Sequence, residues 1–139
     1  MPEPTGVRPA TVEQPDLEFR INASIRILFQ ARKYKEALII LGSMIERIKL
    51  EEGCLSCRLY QDVNEHRALL LEEIWADEAG LHGHLLSADF RDVLLVMEMA
   101  SEPPEIRFDR VAHSRGIEAI AEMRMKPDAP RKGKNPLPL

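Results

Sequence analysis

An α+β fold, a four-stranded antiparallel sheet with helices on one face, is what this 139-residue chain predicts. Three observations lead there. Phe19, Ile21, Ala23, Ile25 and Ile27 alternate with Arg20, Asn22, Ser24 and Arg26, the period-two pattern of a half-buried strand. Ala37, Leu38, Leu41, Met44, Ile45 and Ile48 then recur at helical spacing across residues 34–50. Downstream, two strand-like runs flank the polar Asp62-Val63-Asn64-Glu65-His66 and read as an antiparallel hairpin.

The first helix should stop at Gly53, which can take the left-handed conformation that ends helices. The hairpin strands are expected over 55–61 and 68–75. Asp77 can cap a short helix, and Ser87 can cap the next, whose face is Phe90, Val93, Leu94 and Met97. Pro103 and Pro104 break that helix. A fourth strand follows over 106–111, then a short helix from Ile117 to Met125. The order β-α-β-β-α-β is that of the ferredoxin-like split unit. One domain over 17–113 is expected. A Pro-rich arm precedes it (1–16, with Pro2, Pro4, Pro9 and Pro15), and an extension with a Pro-rich tail follows (114–139).

Apolar residues make up 45% and charged residues 30%, an ordinary balance for a packed domain. A net charge of −4 gives no electrostatic case for nucleic acid. No apolar run is long enough to span a membrane, and the first twenty residues lack the apolar core of a signal peptide. Both point to the cytoplasm. Cys54 and Cys57 form Cys-Leu-Ser-Cys on a strand, where positions three apart face opposite ways. With no second cysteine pair to complete a zinc site, they read as two unconnected, partly buried thiols.

The most informative stretch is 72–85, where a strand ending in Trp75 runs into a helix carrying His84. Both side chains can face one enclosed pocket. Because helices cover one sheet face, the odd residues of the first strand lie beneath them and the even residues face away. On the second strand, Ser56, Arg58 and Tyr60 face away, opposite Leu55, Cys57 and Leu59. On the third, Leu69, Leu71, Glu73 and Trp75 are assigned to the free face, although Leu70, Glu72 and Ile74 are about as apolar and a one-residue slip exchanges the sets. On the fourth, Arg107 and Asp109 face away, opposite Ile106 and Phe108. A face so rich in apolar area calls for a cover, so a second copy is expected to close the sheets into a dimeric α/β barrel with a cavity in each half. The surplus of arginine over acid there suggests an anionic or phenolic guest.

The stretch from Gly53 to Val111 resembles the antibiotic biosynthesis monooxygenase family, which includes the quinol monooxygenases. The likeness rests on Gly53-Cys54-Leu55, Leu59-Tyr60-Gln61-Asp62 and Glu73-Ile74-Trp75, then on Asp77-Glu78-Ala79, His84-Leu85, Ser87-Ala88-Asp89-Phe90 and Pro104-Glu105-Ile106-Arg107. It implies a homodimer and, in enzymatic members, oxygenation of a small phenolic or quinol compound by molecular oxygen without metal, flavin or other cofactor. A deprotonated phenol can pass an electron to oxygen directly, so the protein supplies a base, a shape and support for the anion. His84 or Glu73 would take the proton, and Arg58 or Arg107 would hold the oxyanion. Trp75 would wall the ring beside Tyr60, and Asn22 would orient oxygen or a hydroxyl. Each residue also has a plainer reading: Trp75 as core or interface packing, His84 as a hydrogen-bonded structural histidine, Glu73 as the ion-pair partner of a neighbouring arginine, Asn22 as an interface residue. A non-catalytic small-molecule-binding dimer is the alternative function. A haem-degrading branch of the superfamily uses an Asn, a Trp and a His; Asn22 and Trp75 look similar, but Arg91-Asp92-Val93-Leu94-Leu95 holds no histidine where that branch places its iron ligand. Haem degradation is therefore not expected.

Overall fold

The computed structural model describes residues 19–125; the arm expected over 1–16 and the Pro-rich tail lie outside the described residues. Strand β1 (Arg20–Leu28) is followed by one 3-10 turn at Ala31–Lys33 and helix α1 (Tyr34–Lys49). Strands β2 (Cys54–Gln61) and β3 (Ala68–Trp75) form the hairpin. Helices α2 (Glu78–Leu85) and α3 (Ala88–Met97) precede strand β4 (Glu105–Val111), and α4 (Ile117–Met125) ends the described chain. The sheet order is β2-β3-β1-β4, with every neighbouring pair antiparallel. This is the α+β, ferredoxin-like arrangement that the order of elements foretells.

The alternation in β1 sorts its side chains as expected. Ile21, Ala23, Ile25 and Ile27 are buried, while Arg20 and Asn22 are exposed. Helix α1 lays Ala37, Leu41, Met44 and Ile48 on the buried face. Steps of four, three and four residues keep one stripe aimed at the sheet, and each large side chain so covered contributes roughly 1.5–3 kcal/mol. In α3 the buried residues are Val93 and Val96, whereas Leu94 is exposed. Leu94 lies one residue, or about 100°, round the helix from Val93, outside the stripe.

Strand β3 takes the phase opposite to the one expected. Trp75 stands opposite Ile21, Glu73 opposite Ala23, Leu71 opposite Ile25 and Leu69 opposite Ile27. Residues directly opposite in an antiparallel pair share a face, so this set lies under the helices. Leu70, Glu72 and Ile74 occupy the open face, half-buried. Both sets carry comparable aliphatic area; the indole decides between them, because its large apolar surface is best covered on the side where the helices pack. Trp75 is 0% exposed.

Strand β2 departs from simple alternation as well. Its pairing with β3 shifts between Cys54 and Ser56, leaving Leu55 as an extra residue that is 53% exposed rather than inward. An extra residue inverts the parity of everything before it. Cys54 therefore stands opposite Trp75 and Cys57 opposite Glu73: both thiols face the helices, not opposite sides. Both are free. Burial, then the charge of Glu73, pushes the Cys57 thiol up to about 12, which leaves it un-ionised and unreactive at neutral pH.

Gly53 joins the loop after α1 to β2 at φ 88°, and a Cβ there would stand 3.0 Å from the Cα of Gly80. The positive φ and the close approach both require glycine. Gly53→Ala is expected to lower unfolding free energy by roughly 1–3 kcal/mol, from left-handed backbone strain and displacement of α2. Chemical denaturation measures this; an unchanged midpoint would contradict it.

Candidate functional site

Trp75 and Glu73 are alternate residues at the end of β3, so both side chains point under the helices. The strand hands over to α2 through Asp77, whose carboxylate accepts the Gly80 N–H at 2.9 Å, satisfying a backbone donor that the helix start leaves free. That start places His84 on the face of α2 turned towards the sheet. The Ser87 hydroxyl donates to the His84 carbonyl at 2.7 Å and accepts the Phe90 N–H at 3.1 Å, fixing the corner into α3. Glu51 comes from the tight turn after α1, where its N–H donates to the Ile48 carbonyl at 3.0 Å.

These residues form a continuous buried chain of hydrogen bonds. Trp75 Nε1–H donates to Glu73 Oε1 at 2.9 Å. Glu73 Oε2 lies 3.1 Å from His84 Nε2, and His84 Nδ1 lies 2.9 Å from Glu51 Oε1. The imidazole stacks on the indole, with centroids 4.8 Å apart and planes at 29°, and meets the Phe90 ring edge-on at 5.4 Å. Glu73 is 2% exposed and His84 1%. Charges so deeply buried persist only when paired and hydrogen-bonded, and here they are.

Burial pulls the His84 pKa down, but the hydrogen bonds and charges of Glu73 and Glu51 outweigh it and hold it above the ordinary imidazole value. Glu51 is pushed up too, first by burial and then by the neighbouring Asp89 carboxylate, with His84 offsetting part of the rise. Glu51 Oε2 is buried and has no hydrogen-bond partner. Glu51 itself lines a cavity of about 760 Å³, together with Glu52, Gly53, Asp77, Gly80, His84, Ser87 and Asp89. The cavity lies beside the end of α1 and along α2, on the helix side of the sheet.

The residues singled out from sequence are thus divided. Glu73, Trp75 and His84 come together; Asn22, Arg58, Tyr60 and Arg107 lie on the opposite face of the sheet. An open-face pocket that joins Trp75 and Glu73 to Asn22, Arg58, Tyr60 and Arg107 is not what the chain builds, because β3 has the other phase. Trp75 does not line the cavity. It lies behind Gly80, where a Cβ would meet its Cε3 at 3.3 Å. Glu73 pairs with His84 rather than with an arginine, and Arg107 donates to Asp109 at 3.0 Å on the exposed face. Glu51 and Asp89 escaped the sequence reading as site residues. Glu51 falls in an aperiodic turn, and its only signal is an acidic pair immediately before Gly53, which stands in the loop beyond the helix end at Lys49 rather than capping it. Among the described residues no group of three His, Cys, Asp or Glu side chains is arranged to hold a metal, and both ring nitrogens of His84 are taken by carboxylates.

A sheet of this order with an acid–imidazole chain beneath its helices is a small α+β domain with a ligand-sized cavity. Family comparison gives it a place. The model of the antibiotic biosynthesis monooxygenase family matches residues 22–94, just over half of the chain, and the chain belongs to that family. The uncharacterised protein sll1783 of Synechocystis is 27% identical over 86 residues, which span 61% of this chain and 58% of that relative. A conserved protein from Methanosarcina mazei superposes with a TM-score of 0.61 at 25% identity, over 68% of this chain and 94% of its own. Rv0793 from Mycobacterium tuberculosis gives 0.63 at 19% identity, over 70% and 98%. A solved antibiotic biosynthesis monooxygenase gives 0.60 at 19%, over 64% and 95%. The last two likenesses are of fold.

The buried chain sets a pH dependence. His84 has a folded pKa above its unfolded value, so its contribution to stability is complete below pH 6.5 and is lost as pH rises through the folded value. Glu51, also raised, acts in the same direction from 4.5 upward, since the folded state holds the proton more tightly than the unfolded one. Unfolding free energy is therefore expected to fall as pH climbs past 6.5. In His84→Gln the part of that fall above 6.5 should disappear. Urea titrations at a series of pH values test this, and a wild-type stability that rises over the same window would refute it.

Proposed function

We propose that this protein is a cofactor-independent monooxygenase that oxidises a small phenolic or quinol compound in the cavity on the helix side of its sheet. The observation that carries the reading is Glu51, a cavity-lining carboxylate one of whose oxygens is buried without a hydrogen-bond partner. A buried acceptor left unmet is costly, and a phenolic O–H bound against the Glu51 carboxylate would supply the missing donor.

When His84 donates from both ring nitrogens, one to each glutamate, the three side chains together carry one net negative charge. Transfer of the phenolic proton to Glu51 moves that charge to the substrate and leaves the cluster neutral. No charge is created in the buried site, so no arginine is needed there. The raised pKa of Glu51 makes it the stronger base. Glu73 and His84 act through Glu51 and position it. The phenolate then gives an electron to oxygen. In sum a phenol and O₂ become a quinone and water: one oxygen atom becomes the new carbonyl, and the other leaves with the ring hydrogen and the phenolic proton.

Oxygen uptake with a panel of phenols and quinols tests the reading. Glu51→Gln is expected to lower kcat by about 10²–10⁴, the usual worth of a positioned base. Wild type that consumes no oxygen with any of them, or Glu51→Gln with undiminished turnover, would defeat it. Binding of phenols without uptake would select a small-molecule-binding member of the family instead.

We further propose a homodimer closed over the open sheet face, where Tyr60 is 41% exposed beside Arg58 and half-buried Leu70 and Ile74. Light scattering at micromolar concentration should give twice the chain mass; a mass near 15.8 kDa would rule the dimer out. The reading is of a cytoplasmic enzyme, which two unbridged thiols suit. Among the described residues no helix is long and apolar enough to cross a membrane.

A further inference from the structure

We infer that the compound this cavity takes is a phenol bearing a positively charged amine, and that phenols bearing a carboxylate are rejected. The inference rests on the proposed reading of the cavity as a phenol site and names the substrate class within it.

The cavity lining carries four carboxylates, Glu51, Glu52, Asp77 and Asp89, and neither lysine nor arginine. Asp77 is committed to the α2 cap. Asp89 is held from outside by Arg47, whose Nε donates to Oδ1 at 3.1 Å and whose Nη1 donates to the Ser43 carbonyl at 3.0 Å. That guanidinium is half-exposed and its charge is largely spent on Asp89. The imidazole of His84 is already shared between Glu73 and Glu51. Glu52 is exposed and forms no ion pair among the described residues. A guest with a carboxylate would meet a wall of carboxylates on which Glu52 has no counter-ion among the described residues, whereas an ammonium group would be drawn to Glu52 and Asp89 while its hydroxyl reaches Glu51. Walls of one sign concentrate guests of the other. About 760 Å³ lies in the range of small-ligand sites and leaves room for a ring with a short side chain.

Three phenols of nearly equal shape separate the possibilities: 4-(2-aminoethyl)phenol, 4-ethylphenol and 3-(4-hydroxyphenyl)propanoate. Their affinities would be measured by titration calorimetry at neutral pH. The amine is expected to bind best and the acid worst, with roughly fivefold or more between them at low salt, shrinking as salt screens the partly exposed carboxylates. Glu52→Gln with Asp89→Asn should reduce that ratio towards one. If that variant does not fold, the salt dependence of the wild-type ratio gives the same decision. An acid that binds as tightly as the amine, or a ratio indifferent to salt, would overturn the charge preference while leaving the phenol site standing. If none of the three binds, both the phenol site and the inference fall.

Discussion

Glu73 is the residue on which the rest of this structure turns. A carboxylate under a sheet-covering helix layer has no water to solvate it, so it must collect donors from the protein or not be there as an anion. It collects two, the indole N–H of Trp75 from its own strand and an imidazole nitrogen of His84 from α2. The second bond ties a helix to a strand. His84 in turn needs a partner for its other nitrogen, and Glu51 supplies it from the end of α1. One buried charge thereby fixes the positions of β3, α2 and the α1 turn relative to one another. Removing His84 would strand the carboxylate, and breaking a buried pair in that way costs about 3–5 kcal/mol.

The same constraint explains why a cavity exists. His84 is the buried residue of α2; Leu81 and Leu85 are half-buried and the helix has no continuous apolar stripe. Such a helix is held by the hydrogen-bond chain and by close backbone contact rather than by a filled interface. Gly80 allows the contact: a Cβ on it would meet the Glu52 carbonyl at 3.2 Å and the Trp75 ring at 3.3 Å. With Gly53, Ala79, Gly83 and Ala88 along the same wall, the side chains are too short to occupy the space between α2 and the end of α1. The cavity is thus what remains when a helix is docked by polar bonds and small residues.

The sequence carried most of the architecture because its strongest patterns were unambiguous. The nine-residue alternation of β1, the stripe of α1, and the caps at Asp77 and Ser87 each have one physical solution, and the chain adopts it. What was ambiguous was phase. Leu69 and Leu71 are matched by Leu70 and Ile74, so period two is visible in β3 but the buried side is not. A clue lay in α2. His84 follows Leu81 by three residues and precedes Leu85, so it points towards the sheet, and a tryptophan sharing its pocket must lie on the covered side. The bulge at Leu55 left no trace in composition, and it moved Cys54 onto the helix-covered face, which simple alternation reserves for Cys57. Glu51 belongs to a turn, where no periodicity exists to mark it.

Once β3 is in its true phase, the two faces of the sheet part company chemically. On the open face the charges largely answer one another within the chain. Arg26 reaches Asp62 at 3.0 Å and Glu105 at 3.6 Å, and Arg107 reaches Asp109. An arginine surplus counted from sequence therefore overstates the positive field that a guest would feel there. Exposed pairs of this kind contribute little to stability, but they neutralise a surface that carries apolar area, which suits contact with another protein surface better than capture of an anion. Under the helices the balance is reversed: two glutamates share one imidazole, and a carboxylate oxygen remains unpaired. The electrostatic character of this side of the sheet therefore follows from which way a single strand faces.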